Sequence, residues 1–105
     1  MALVFTNFAS GVLAANITNA QTTVSIELGQ GGVFPVINAG DYAIAVLEDA
    51  AGNKEVVHIT ARSADTLTVE RAKEGTSARA YSIGDRIEVR PTSGFMREFI
   101  DAGDY

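Results

Sequence analysis

The fold is decided by residues 54–90, which read KEVVHITARSADTLTVERAKEGTSARAYSIGDRIEVR. Apolar residues recur at alternate positions in three runs of this stretch, at 55–61, 66–71 and 86–90. This period of two is typical of strands that bury one face, because successive side chains of a strand point to opposite sides. A short turn separates the first two runs, and a longer polar loop at 72–80 precedes the third. The stretch therefore predicts three β-strands.

Similar runs continue towards the N-terminus, at 12–17, 22–28 and 42–48. The run at 22–28 alternates, so that Leu28 is expected on the same inward face as Val24. The run at 42–48 reads YAIAVLE and is apolar at nearly every position, which predicts a strand buried on both faces. Between these two runs, the glycine-rich connection is expected to bring Phe34 and Val36 over the core.

The last predicted strand ends at Pro91, because proline has no N–H to donate to a sheet. A short helix is predicted at 93–101. Its apolar residues fall on one stripe and are Phe95, Met96, Phe99 and Ile100. The fold class is therefore all-β: a small antiparallel β-sandwich or partly closed barrel with a short C-terminal helix. Consecutive hairpins favour a meander.

The length of 105 residues predicts one domain, with a lead segment at 1–11, a β core at 12–91 and the helix at 93–101. The absence of cysteine excludes disulfides and thiolate metal sites. A net charge of -5, with scattered basic residues, makes nucleic acid an unfavourable partner. The N-terminus lacks the basic region of a signal peptide, and no apolar run approaches the roughly 20 residues of a membrane helix.

No catalytic constellation is recognisable in the sequence. His58 is the only histidine, and it is expected at a surface or interface rather than in a zinc site or as a general base. The segment 48–53 resembles a calcium loop but lacks the EF-hand spacing, so that a hairpin turn held by Asp49 is favoured. Strand charges are expected to face outward and to pair across the sheet, for example Glu70 or Glu88 with Arg71, Arg86 or Arg90. We therefore expect neither enzymatic activity nor a cofactor or metal.

Three parts of the sequence are candidate interfaces: the apolar N-terminal segment, the polar loop 72–80 and the C-terminal stripe. Their residues are Leu3, Phe5, Phe8, Glu74, Gly75, Thr76, Arg79, Phe95, Met96, Phe99 and Ile100. The stripe either covers the open end of the sheet or docks on a neighbouring subunit. The loop either carries contacts or is an ordinary solvated connection.

The order of the motifs resembles a known family. The motifs are EVVHITARS at 55–63, TLTVER at 66–71, EGT at 74–76 and GDRIEVR at 84–90. Across 12–92 the sequence is similar to a β-module of tailed-bacteriophage virion proteins, which often stands at the N-terminus of tail-fibre or receptor-binding proteins. The family often has Gly and Gln where Ala72 and Lys73 stand here.

The resemblance implies a virion structural protein that acts in attachment or particle assembly, without an enzymatic active site. It implies other virion proteins of capsid, neck or tail as partners, a trimer or higher ring, and assembly in the host cytoplasm. Because no fibre shaft follows, a free-standing adaptor, head-decoration, neck or tail component is expected. The alternative is a small carbohydrate- or host-surface-binding module, which the absence of tryptophan disfavours.

Overall fold

A computed structural model describes residues 9–34 and 37–89 as one curled antiparallel sheet of six strands. The strands are β1 (Ser10–Val12), β2 (Thr23–Ser25), β3 (Ala43–Glu48), β4 (Lys54–Ser63), β5 (Thr66–Lys73) and β6 (Arg86–Val89). A short 3-10 helix covers Gln30–Val33. No helix in the described ranges is long and apolar enough to cross a membrane. The all-β prediction is confirmed, and the predicted helix at 93–101 lies outside the described residues.

The sheet curls into a partly closed barrel, because its two edge strands meet. The spatial order is β1-β6-β3-β4-β5-β2, which places β1 and β2 at opposite edges. The N–H of Ala14 donates to the carbonyl of Ser25 at 2.8 Å, and the N–H of Glu27 donates to the carbonyl of Val12 at 2.9 Å. These bonds satisfy backbone groups at both edges and so leave less edge open to other chains.

The connectivity differs from the predicted meander. Strands β3, β4 and β5 form consecutive hairpins, but β6 pairs with β3 and not with β5. The free edge of β5 is occupied by β2, where Val24 lies opposite Leu67. The chain between β5 and β6 therefore crosses to the other side of the hairpins, and the loop 72–80 forms the first part of this crossing.

One predicted strand boundary was wrong. Strand β1 begins at Ser10, two residues before the predicted run at 12–17. Strand β2 ends at Ser25 and Leu28 is 96% exposed, whereas the sequence placed Leu28 inward. The reason is a turn directly after the edge pairing, in which the N–H of Gln30 donates to the carbonyl of Glu27. Gly29 has φ +86° in this turn, a left-handed conformation that glycine adopts easily.

The barrel interior is filled by alternate residues of strands β2 to β6, by Ala9 and Leu13 on either side of β1, and by Phe34 from the long connection. The prediction for Phe34 is thus confirmed, while Val36 lies outside the described residues. In β3 the small residues Ala43 and Ala45 face this interior. Their neighbours on the opposite face are also buried, which confirms that the strand is covered on both sides.

Candidate functional site

A buried carboxylate anchors the loop 72–80. Glu55 stands second in β4 and has the same parity as the inward residues Val57 and Ile59, so that its side chain enters the barrel and is 0% exposed. Burial of a charge without partners would be very unfavourable. Both carboxylate oxygens must therefore accept hydrogen bonds within the fold.

Four donors surround this carboxylate. Oε2 accepts from Nε of Arg71 at 2.8 Å and from the N–H of Ala72 at 2.9 Å. Oε1 accepts from Nη2 of Arg71 at 2.9 Å and from the N–H of Arg79 at 3.0 Å. Burial raises the pKa of Glu55, but the hydrogen bonds from Arg71, Ala72 and Arg79 outweigh it and hold the pKa below the ordinary value of 4.5. Glu55 is therefore a carboxylate at neutral pH.

Arg71 joins two further segments to this centre. Its side chain is only 8% exposed. Besides its paired bonds to Glu55, Nη1 donates to the carbonyls of Thr18 at 2.9 Å and Gln21 at 2.7 Å. Nη2 also donates to the carbonyl of Arg79. The rigid fork of an arginine suits such simultaneous recognition, which a lysine could not reproduce.

This arrangement corrects the prediction that Arg71 pairs outward across the sheet. Arg71 has the same parity in β5 as Leu67 and Val69, both of which are buried in the core. The alternation itself therefore placed both charges inward. The sequence did contain a signal for this pair. Glu55 stands near the start of one predicted strand and Arg71 near the end of the next, and alternation assigns both to the inward face.

The loop backbone is held in an unusual shape. Ala72 and Glu74 have φ of 56° and 54°, and Gly75 has φ of 81°. Residues other than glycine enter this left-handed region at a cost, and such conformations persist where the surroundings enforce them. At Ala72 the register of β4 and β5 shifts, and its N–H points to Glu55.

Thr76 closes the turn. Its hydroxyl donates to the carbonyl of Lys73 at 2.7 Å and accepts from the N–H of Val56 at 3.0 Å. Its N–H also donates to the carbonyl of Lys73 at 3.0 Å. Thr76 is half-buried, and its hydrogen bonds join the loop to β4 as well as closing the turn.

The fixed loop exposes other polar side chains. Glu74, Gly75, Ser77 and Arg79 are exposed. The backbone of Arg79 is held from both sides, since its N–H donates to Glu55 and its carbonyl accepts from Arg71. The residue itself is nevertheless exposed. The loop thus presents an acidic and a basic side chain on a defined scaffold.

The β3–β4 hairpin ends at the same end of the sheet as this loop. Oδ1 of Asp49 accepts from the N–H groups of Ala51 at 3.0 Å and Asn53 at 2.9 Å, and Oδ2 accepts from Nδ2 of Asn53 at 2.9 Å. The hydrogen bonds from Asn53 lower the pKa of Asp49. The favoured prediction of a hairpin turn held by Asp49 is confirmed.

A small cavity of about 180 Å³ adjoins the hairpin turn. Its lining residues are Glu48, Asp49, Ala50, Gly84, Asp85 and Arg86. Within the described ranges, no group of three or more acidic, histidine or cysteine residues is arranged to hold a metal ion. Asp85 Oδ2 accepts from the N–H of Ser82 at 2.8 Å and thus also serves a turn.

His58 lies on the outer face of β4, as its alternation predicted. Its ring stacks on that of Tyr42, with centroids 4.6 Å apart and an angle of 26° between the planes. In the sheet register it stands opposite Ile44 on one side and Glu70 on the other. The side chain is half-buried at this position.

The remaining predicted interface residues lie outside the described ranges. They are Leu3, Phe5, Phe8, Phe95, Met96, Phe99 and Ile100. Of the eleven candidates, the structure therefore brings together the four in the loop, Glu74, Gly75, Thr76 and Arg79. Sequence reasoning had not identified Glu55 and Arg71, which hold this loop in place.

No protein-family model matches the chain, and the comparison with curated proteins gives no match.

Proposed function

We propose that this chain is a non-enzymatic structural component of a tailed-bacteriophage particle, and that the loop 72–80 is a contact site in assembly. The observation that carries the proposal is the Glu55–Arg71 centre, which fixes the loop backbone before any partner binds. The resemblance of residues 12–92 to the phage module gives the class of particle.

A pre-formed loop is well suited to assembly. Ordering a flexible segment on binding costs free energy, and a loop that is already fixed avoids most of this cost. Glu74 and Arg79 project from it with opposite charges, so that it can recognise a complementary polar surface and discriminate against wrong partners. The partners would be capsid, neck or tail proteins, or further copies of this chain in a ring.

The chemistry of the centre favours a structural role over catalysis. A general base works best with a pKa near the operating pH. The pKa of Glu55 is lowered instead, and its carboxylate already accepts four hydrogen bonds from Arg71, Ala72 and Arg79. Such a group is poorly placed to accept a proton from a substrate.

The first test is to wash tailed-phage particles from the producing host at high salt and to search them for this chain by mass spectrometry. We expect the chain in the particles, and we expect the purified protein to sediment as a trimer or larger ring. A monomer that is missing from washed particles would contradict the proposal. Binding to a glycan array with no particle association would instead favour the carbohydrate-binding alternative.

The second test concerns the loop. Glu74→Arg reverses an exposed charge in the loop, and Glu27→Arg makes the same change at an exposed position beyond β2. We expect Glu74→Arg to reduce incorporation into particles about tenfold, equivalent to ~1.4 kcal/mol of binding free energy. Glu27→Arg should incorporate normally. Equal incorporation of both variants, with unchanged thermal unfolding, would remove the loop from the contact site.

A further inference from the structure

The connection between β1 and β2 exposes a surface without charge. Residues 1–26 contain no Asp, Glu, Lys, Arg or His, although 20% of the chain is charged. In the part of this stretch that the structure describes, Asn16, Thr18, Asn19 and Ala20 are exposed. The polar groups at this surface therefore belong to neutral side chains and to the backbone.

This connection is fixed to the loop of the proposed contact site. Ile17 and Tyr81 exchange two backbone hydrogen bonds, at 2.9 Å and 3.1 Å. Nη1 of Arg71 donates to the carbonyl of Thr18, while Nη2 donates to the carbonyl of Arg79. One guanidinium thus holds both segments side by side, so that they form a single surface with a defined backbone.

An exposed apolar side chain adjoins the same surface. Ile83 is 64% exposed. Its N–H donates to Oδ1 of Asn16 at 2.7 Å, which fixes its place beside the connection. We refer to Asn16, Thr18, Asn19, Ala20 and Ile83 as the neutral face.

The charge of the chain indicates which partner suits the neutral face. Copies of a chain with a net charge of -5 repel one another, so that contact between them is opposed least where the surface carries no carboxylate. The core of a protein interface is also depleted in charged residues, whereas its rim is polar. The neutral face has the composition of such a core, and Arg79 lies at its border.

We propose that copies of this chain associate through the neutral face, with Ile83 buried in the contact and Arg79 at its rim. This inference rests on the proposed function, in which the loop 72–80 is a contact site, and it names a second copy as the partner. In a ring of copies, the neutral face lies between neighbouring subunits.

A pair of charge insertions tests the contact. Ala20→Glu places a carboxylate in the neutral face, and Ala39→Glu places one at an exposed position before β3. In sedimentation velocity of the purified protein, we expect Ala20→Glu to raise the Kd of self-association about tenfold, because its carboxylate would lose water in the contact. Ala39→Glu should associate like the wild type. Equal self-association of the two variants would overturn the inference.

A second pair removes apolar side chains. Ile83→Ser should also weaken self-association about tenfold, because the contact loses its apolar side chain. Leu28→Ser is the matched control at a 96% exposed position beyond β2, and it should associate normally. Both variants should keep the thermal unfolding of the wild type, since both side chains are exposed. Weaker association of Leu28→Ser than of Ile83→Ser would place the contact elsewhere and overturn the inference.

The outcomes separate this inference from the proposed function. A wild-type protein that stays monomeric when concentrated overturns the inference, whereas the search of washed particles decides whether the chain is a particle component. If copies associate normally in both Ala20→Glu and Ile83→Ser while Glu74→Arg fails to enter particles, the loop remains a contact site and the neutral face does not.

Discussion

The substitution Glu55→Gln tests the centre that holds the loop 72–80. Glutamine keeps the size of the side chain but removes the charge and replaces one acceptor oxygen with a donor. Arg71 would keep its charge in a position where its side chain is 8% exposed. One of the N–H groups of Ala72 and Arg79 would also lose its acceptor.

The expected loss is large for a chain of this size. Removing one partner of a buried ion pair costs about 3–5 kcal/mol, because the remaining charge stays buried and unpaired. A domain has ~5–15 kcal/mol of total stability. A loss of about 3 kcal/mol would lower Tm by roughly 12–24 °C. The matched control is Glu70→Gln on β5, whose 3.1 Å ion pair with Lys73 is exposed and should contribute under ~0.5 kcal/mol.

The free energies of unfolding are measured by urea titration at neutral pH, with circular dichroism as the signal. Arg71→Met is combined with Glu55→Gln in a double-mutant cycle, and the double variant should lose clearly less than the sum of the two single losses. The reasoning is refuted if Glu55→Gln loses less than about 1 kcal/mol, or if the exposed control Glu70→Gln loses as much.

The same pair sets a pH dependence. The pKa of Glu55 in the folded state lies below its ordinary value of 4.5, so the unfolded chain binds the proton more readily. The stabilisation is therefore complete above the unfolded-state pKa and is lost as the pH falls through the folded-state pKa. The stability difference between wild type and Glu55→Gln should narrow below about pH 4.5. A difference that stays constant or widens in acid would contradict this assignment.

Two further predictions concern single side chains. Leu13→Ala, at a fully buried position, should lower the free energy of unfolding in urea by about 2–5 kcal/mol. Leu28→Ala, at a position that is 96% exposed, should lower it by less than ~0.5 kcal/mol. Similar losses for the two variants would contradict the observed end of β2. Burial, with the charge of Glu55, raises the pKa of Tyr81 to about 12, and its hydroxyl has no hydrogen-bond partner among the described residues. Tyr81→Phe should therefore keep the wild-type stability or gain up to ~1 kcal/mol. In an ultraviolet pH titration of the variant, the tyrosine that ionises at the highest pH should be missing. A decrease in stability above ~1 kcal/mol would reveal a partner for the hydroxyl.

The candidate site was only partly predictable from the sequence. The loop was recognisable from its length and polarity, and Gly75 indicated a left-handed turn. Thr76 closes the turn, because a threonine hydroxyl can bond to nearby backbone, and its predicted role as a contact residue stays a prediction. Alternation placed Glu55 and Arg71 inward, yet their charges favoured solvent. Only the tertiary structure resolves this conflict, because it shows that the Arg71 guanidinium reaches the Glu55 carboxylate, so that both charges can be buried together.

The sequence by itself determined the local structure of this protein: the all-β class, the run at 42–48 that is buried on both faces, and the hairpin turn held by Asp49. Each depends on residue types within a few positions of one another. Tertiary structure alone decided that β6 pairs with β3, that β1 and β2 meet to close much of the barrel, and that Glu55 binds Arg71. These contacts join segments that are distant in the sequence, and they depend on the order of the strands in the sheet. Alternation with a period of two determines which face of the sheet a side chain occupies, but it does not determine which strands are neighbours.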